Sequence, residues 1–344
     1  MAFAFLAAHA LPMEAQNNSL QKDAATVAIA KNHPNQDLRQ AAKDCLQGQI
    51  EKALPVIQNL NGAGDLDARY LLAKLYFLGL GVERSSDKAL KLLTSSIDKE
   101  HGPSILALAQ FKETDAPQES IRLYEQAANQ GQTLAWIRLG NIAENGELGM
   151  RANSKRAFYY FQLASQNGNR YGDFQMARCF ENGIGVSPNS IEATRHYRKA
   201  ALGGVRNANS VMAKRYLGGQ GVELDPVAAT GWMMRGAKLG SAEAMVQLGK
   251  EYESGLNLAQ DLNQAGQLYS AAAKTGDPEG NYRLALLYLN GIGTKADPVR
   301  AYVLLHEAQA IPAAKKAYQN LERQLTEQQL EFARTKISDA QNTP

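Results

Sequence analysis

The side chains able to do chemistry are five histidines, two cysteines, repeated glycine pairs and a row of cations. His9, His33, His101, His196 and His306 are too scattered to form a local metal or acid–base motif. His196 and His306 fall in different helical segments and read as packed or surface residues. Cys45 and Cys179 do not form a CxxC pair. A disulfide needs Cα atoms within about 7 Å, which residues this far apart in a linear array rarely reach, so both read as small buried hydrophobes. The pairs Gly79/Gly81, Gly183/Gly185, Gly219/Gly221 and Gly291/Gly293 invite a nucleotide-fold reading. A dinucleotide fingerprint, however, follows a strand and opens a helix, whereas these pairs follow helical segments and recur, as turns do. No GxxxxGK[ST], HExxH, GxSxG or EF-hand loop occurs. No catalytic, cofactor-binding or metal-binding residue is therefore expected.

The cations are the more informative feature. Lys74, Arg178, Lys214 and Lys250 stand at one position of a repeated segment, and Asn141 and Leu286 interrupt the row. A line of positive charge would steer an acidic peptide or an anionic polymer towards it. The alternative is a solvated helix flank. If the row faces a binding groove, Arg215, Tyr216, Tyr282 and Arg283 are the neighbouring anchors, since Arg and Tyr dominate interface hot spots.

The elements that must carry these residues follow from a strict period. Gly183, Gly219, Gly255 and Gly291 are 36 residues apart, as are Gly168, Gly204, Gly240 and Gly276. Phe180, Tyr216, Tyr252 and Tyr288 form an aromatic row, and Ala157, Ala193, Ala229, Ala265 and Ala301 an alanine row, with Ala89 about two periods before Ala157. Ser85, Asn153, Asn189, Asp225, Asp261 and Asp297 each precede a row alanine by four residues. All are good N-cap residues, each worth about 1 kcal/mol. Asp225-Pro226 and Asp297-Pro298 add proline at the first helical position.

One unit reads as helix A over Ala208–Leu217, a glycine turn at 218–221, a plug at Val222, and helix B from Pro226 to Gly240. A hairpin this short cannot bury its own face, so neighbours must stack. Units fall at about 66–101, 102–131, 132–168, 169–204, 205–240, 241–276 and 277–312. Unit 102–131 is short, turning at Thr114–Pro117, and a break in regularity is expected there. Unit 132–168 has one extra loop residue, in Gly146–Gly149. Asn257 replaces a loop glycine and is expected to take its left-handed backbone. A degenerate unit covers 34–64, with helices at Ala41–Leu46 and Ala53–Leu60, after a capping helix at Leu20–Lys31. The division is thus 1–19, an unstructured terminus or truncated signal; 20–65, N-terminal cap and degenerate repeat; 66–312, the repeats; 313–337, capping helices; and 338–344, a disordered tail.

Segments such as Leu72-Ala73-Lys74-Leu75-Tyr76-Phe77-Leu78-Gly79-Leu80-Gly81-Val82 and Ala285-Leu286-Leu287-Tyr288-Leu289-Asn290-Gly291-Ile292-Gly293 resemble the SEL-like repeat family, looped relatives of tetratricopeptide repeats. The resemblance covers about 66–312. It implies an all-α, right-handed α/α superhelix (solenoid) of seven to eight hairpins whose A helices line the concave face. It also implies a non-catalytic adaptor or scaffold, often of the bacterial envelope. The last unit and cap, Gly293–Tyr302 and Leu321–Ala333, have a thinner likeness to exopolysaccharide (alginate) export scaffolds, although no lipobox cysteine is present near residue 1.

Composition bounds the rest. With 37 basic and 34 acidic residues the formal charge is +3, too balanced to argue for nucleic acid. No run of eighteen apolar residues exists to span a membrane. Ala2–Ala8 is apolar but lacks the basic flank of a secretory signal. A periplasmic or secreted location is expected, with the cytoplasm as the alternative. The expected partner is a protein or extended peptide segment in the groove, in secretion or exopolysaccharide-export assembly. The rivals are a cytoplasmic regulator or host-directed effector adaptor, an anionic polysaccharide binder, and a cell-wall or polysaccharide hydrolase. The hydrolase would need convergent acids or a nucleophile–base pair, which the sequence does not display.

Overall fold

A helix with an acceptor at its start and glycine at its end can bury its apolar stripe only against other helices. The computed structural model describes residues 19–21, 23–293 and 295–342, and every regular element among them is helical. The apolar start and His9 lie outside the described residues. Beyond a helical turn at 19–21, the order opens with α1 (Ala24–Asn32) and the hairpin α2 (Gln36–Leu46)/α3 (Ile50–Gly62). The repeat hairpins follow: α4 (Leu66–Leu78)/α5 (Ser86–Thr94), α6 (Gly102–Phe111)/α7 (Pro117–Asn129), α8 (Thr133–Asn145)/α9 (Ser154–Gln166) and α10 (Arg170–Asn182)/α11 (Ser190–Leu202). Then come α12 (Arg206–Gly218)/α13 (Pro226–Lys238), α14 (Ala242–Ser254)/α15 (Leu262–Ala273) and α16 (Pro278–Asn290)/α17 (Pro298–Glu307). α18 (Pro312–Glu322) and α19 (Glu327–Asn342) close the chain.

The chain divides into two compact units, up to Gly172 and from Asp173, rather than at the short repeat. Within each, successive helices pack as antiparallel pairs, the arrangement of an α/α solenoid.

The loop explains the sequence rows. Gly219 ends α12 at φ +61°, its amide and that of Gln220 both donating to the Arg215 carbonyl. Gly221 follows at φ +68°. The Asp225 amide then donates to the Tyr216 carbonyl at 2.9 Å, and the Asp225 carboxylate caps α13 at the Ala228 amide. The amides of Asn189, Asp261 and Asp297 donate in the same way to the carbonyls of Phe180, Tyr252 and Tyr288. The glycine, aromatic and capping rows are therefore parts of one loop. The alanine row is its inner counterpart: Ala157, Ala193, Ala229, Ala265 and Ala301 have no exposed surface.

Several expectations are corrected. Asn257 does not take a left-handed backbone; its side-chain Nδ2 donates to Glu251 Oε2. The extra loop residue is absorbed at Leu148, held at φ +54°. The N-terminal capping helix is interrupted at Asp23, which caps α1 through the Thr26 amide. The expected tail is helical as far as Asn342, because nothing in Ser338–Asn342 stops a helix. In the short repeat, α7 begins at Pro117 with no side-chain cap, since Ala116 replaces the usual acceptor.

Candidate functional site

In both units the A helices also touch the next A helix: α4 touches α6, and α12 and α16 both touch α14. Among the described residues of the seven repeat hairpins, the B helices make no comparable contact with one another. The A row is thus the closely spaced side of each stack, and its outward face in the unit from Asp173 is the candidate binding surface.

Of the sequence-derived residues, Lys214 and Lys250 stand on this face, 59% and 42% exposed. They are not bare cations. Lys214 Nζ lies 2.5 Å from Glu243 Oε1, and Lys250 Nζ lies 2.9 Å from Glu279 Oε1. The two acids are themselves 36 residues apart and begin the next A helix in each case. Arg283 Nε joins Glu279 at 3.0 Å, and its Nη1 reaches towards Glu253 at 3.9 Å. Burial works to raise the Glu279 carboxyl, but the hydrogen bonds and charges of Lys250 and Arg283 outweigh it and hold it below its ordinary value. Tyr282, beside Arg283, is half-buried against the last hairpin and α18–α19. Arg178 is half-buried and donates to Gln175 at 2.7 Å.

Three of the expected residues stand apart from this face. Lys74 lies in the other unit, its side chain 8% exposed, with Nζ 3.2 Å from Asp23 Oδ1. Arg215 is buried with its fork turned towards α11, donating to Glu181 at 2.6 Å, Thr194 at 2.6 Å and Ser190 at 2.8 Å. The Tyr216 hydroxyl accepts from Arg198 of α11 at 2.9 Å. Each residue along a helix turns the side chain by about 100°, so Arg215 and Tyr216, one and two residues on, leave the face that Lys214 occupies.

The carboxylates were the residues that the cation row did not disclose. Glu243 and Glu279 show the same period as their lysines, so the signal was available. Together the row is zwitterionic, a surface of paired charges. Among the described residues no group of three His, Cys, Asp or Glu side chains is placed to hold a metal ion. His196 is buried, its Nδ1 3.1 Å from Asp173 and its ring stacked on Phe180. Cys45 and Cys179 are buried free thiols, and burial, with Asp44 adding charge, pushes Cys45 up to about 12. Among the described residues no helix is long and apolar enough to cross a membrane.

The stacked hairpins define a helical repeat protein of the α/α solenoid class. The Sel1 repeat model matches residues 66–101, 111–132, 135–169, 171–205, 207–241, 242–277 and 278–308, and the chain belongs to the Sel1 repeat family. Proteins of this family serve generally as protein-interaction scaffolds. Among solved structures the chain is similar to a Sel1 repeat protein from Oxalobacter formigenes, with 23% identity, TM-score 0.67, and coverage of 89% of this chain and 94% of that one. It is also similar to a protective antigen of uropathogenic Escherichia coli strains that displays an SLR fold, with 22% identity, TM-score 0.68, and coverage of 95% and 76%. No curated protein matches the chain.

Proposed function

We propose that this protein is a non-catalytic scaffold that holds a protein segment against the A-helix face of its unit from Asp173. The observation that carries this reading is the Lys214–Glu243 and Lys250–Glu279–Arg283 row, exposed and repeated on successive A helices. Exposed ion pairs are worth at most about 1 kcal/mol each, so a polar peptide can exchange with them at little cost. The matched charges disfavour a polyanion, and with it the polysaccharide-binding alternative, because the field that would attract one is cancelled locally. An envelope role, in assembling a secretion or exopolysaccharide-export complex, is the proposed setting. It rests on the apolar start Ala2–Ala8 and on the family's frequent use there.

A photo-crosslinking side chain at Asn207 or Ser254, exposed on the same helix faces as Lys214 and Lys250, tests the surface against one at the exposed Val227, on helix B. A specific protein adduct at the first two, weakened by Lys214→Glu with Lys250→Glu, is the expected result. Adducts at Val227 alone would overturn the assignment. Fractionation of cells expressing the full chain tests the setting separately: retention in the cytosol would remove the envelope role and leave the scaffold.

A further inference from the structure

Three helix ends meet around one carboxylate in the unit ending at Gly172. His33 follows the last residue of α1, Asp67 stands in the first turn of α4, and His101 precedes α6. His101 Nε2 lies 3.1 Å from Asp67 Oδ1, while His33 Nε2 lies 3.5 Å from both Asp67 Oδ2 and Asp65 Oδ2. The imidazoles are only 10% and 12% exposed. The second nitrogen of each ring is also engaged. The Asn35 amide donates to His33 Nδ1 at 3.2 Å, which fixes that ring, when neutral, with its proton on Nε2 facing the carboxylates. His101 Nδ1 is 2.8 Å from the hydroxyl of the fully buried Ser104.

We propose that His33 and His101 form a proton-operated latch, clamping α1–α2 to the first repeats more tightly as the surroundings acidify. Among the described residues the charged groups against the two rings are Asp65 and Asp67. Beyond the His101 ring, Tyr70 packs edge-on and donates to Asp23, whose charge Lys74 already matches. Asp65 and Asp67 thus have neutral imidazoles as their ion-pair partners until protons arrive. Imidazole is the side chain that gains charge between pH 8 and 5, and a charged ring adds Coulombic attraction to contacts whose carboxylates are already ionised. His33 is the main element. It faces two carboxylates and lies at the C-terminal end of α1, where the helix dipole favours a cation, whereas His101 lies at an N-terminus that opposes one. Protonation sacrifices the weak Asn35 bond, one contact set against ion pairs with two carboxylates.

Hydrogen exchange of α1 and α2 in the full chain, corrected for the intrinsic pH dependence of exchange, tests this. Protection should rise severalfold from about pH 7.5 to 5.5, since the charge each imidazole gains meets Asp65 and Asp67 only in the folded chain. His33→Gln with His101→Gln should abolish the rise, since glutamine can donate but not gain charge. Flat or falling protection in the native chain, or the same rise in the double variant, would overturn the latch. Should the variant not fold, the imidazole resonances of the native protein decide. Both must titrate between pH 8 and 5 while α1 stays docked, and rings that remain neutral throughout refute it.

Discussion

The Tyr269 hydroxyl donates to Glu253 Oε2 at 2.6 Å, tying a fully buried ring of a B helix to the last turn of the A helix before it. The same bond joins Tyr124 to Glu113 and, at 2.7 Å, Tyr197 to Glu181. An arginine of the next A helix completes each group, with Arg138 at 2.7 Å from Glu113, Arg215 at 2.6 Å from Glu181 and Arg283 at 3.9 Å from Glu253. Tyrosine thus occupies every second unit at this B-helix position, where Phe161, Met233 and Leu305 stand in the units between. Burial pushes the three phenols well up, and their glutamates add to it, so each stays a donor.

Tyr269→Phe should therefore destabilise the protein by about 1–2 kcal/mol, the cost of losing a hydrogen bond to a charged group. Urea denaturation of the full chain measures it. A loss below a few tenths of a kcal/mol would mean that Glu253 is satisfied by Arg283 and solvent alone.

Gly249→Ala and Gly140→Ala should also destabilise, by about 1–3 kcal/mol, although alanine is the better helix former. A Cβ at Gly249 would stand 2.5 Å from the Tyr269 ring, and one at Gly140 would stand 2.3 Å from the buried ring of Phe161. Ala177, Ala213 and Ala285 occupy the equivalent position opposite Tyr197, Met233 and Leu305, where the facing side chain is placed to leave room for a methyl group. Thermal unfolding that shifts upward in either variant would contradict this packing.

Acid should weaken the unit from Asp173 through Glu279. Its folded carboxyl titrates lower than in the unfolded chain, so the unfolded state binds the extra proton. Its contribution is complete above the unfolded value, near pH 4.3, and is lost as pH falls through the folded one. Glu279→Gln should lower the urea midpoint at pH 7, and the gap should narrow as pH falls below about 4. A gap that does not change on acidification would assign the effect to packing.

Glu100→Gly should raise stability by about 0.5–1 kcal/mol, since the exposed Glu100 is held at φ +53°, a backbone region that costs most residues free energy and glycine little. A differential scanning measurement showing no gain would place the offset in the greater unfolded-state entropy of glycine.

The sequence by itself determined the repeat. Glycines, capping acids and alanines at a 36-residue spacing can be satisfied together only by helical hairpins that stack, because each row supplies one part of the same loop or seam. It also determined that Lys214 and Lys250 share a position. What it did not decide was which neighbours those positions meet. Lys74 stands in the same register as Lys214, yet it is buried against Asp23, a residue of the degenerate N-terminal segment that no period predicts. Arg215 follows Lys214 directly and yet is buried against Thr194 and Glu181 on the preceding hairpin. Periodicity fixes a side chain's direction on its own helix. Its burial and its charge partner depend on the helix packed opposite, and only the tertiary structure brings that helix into place.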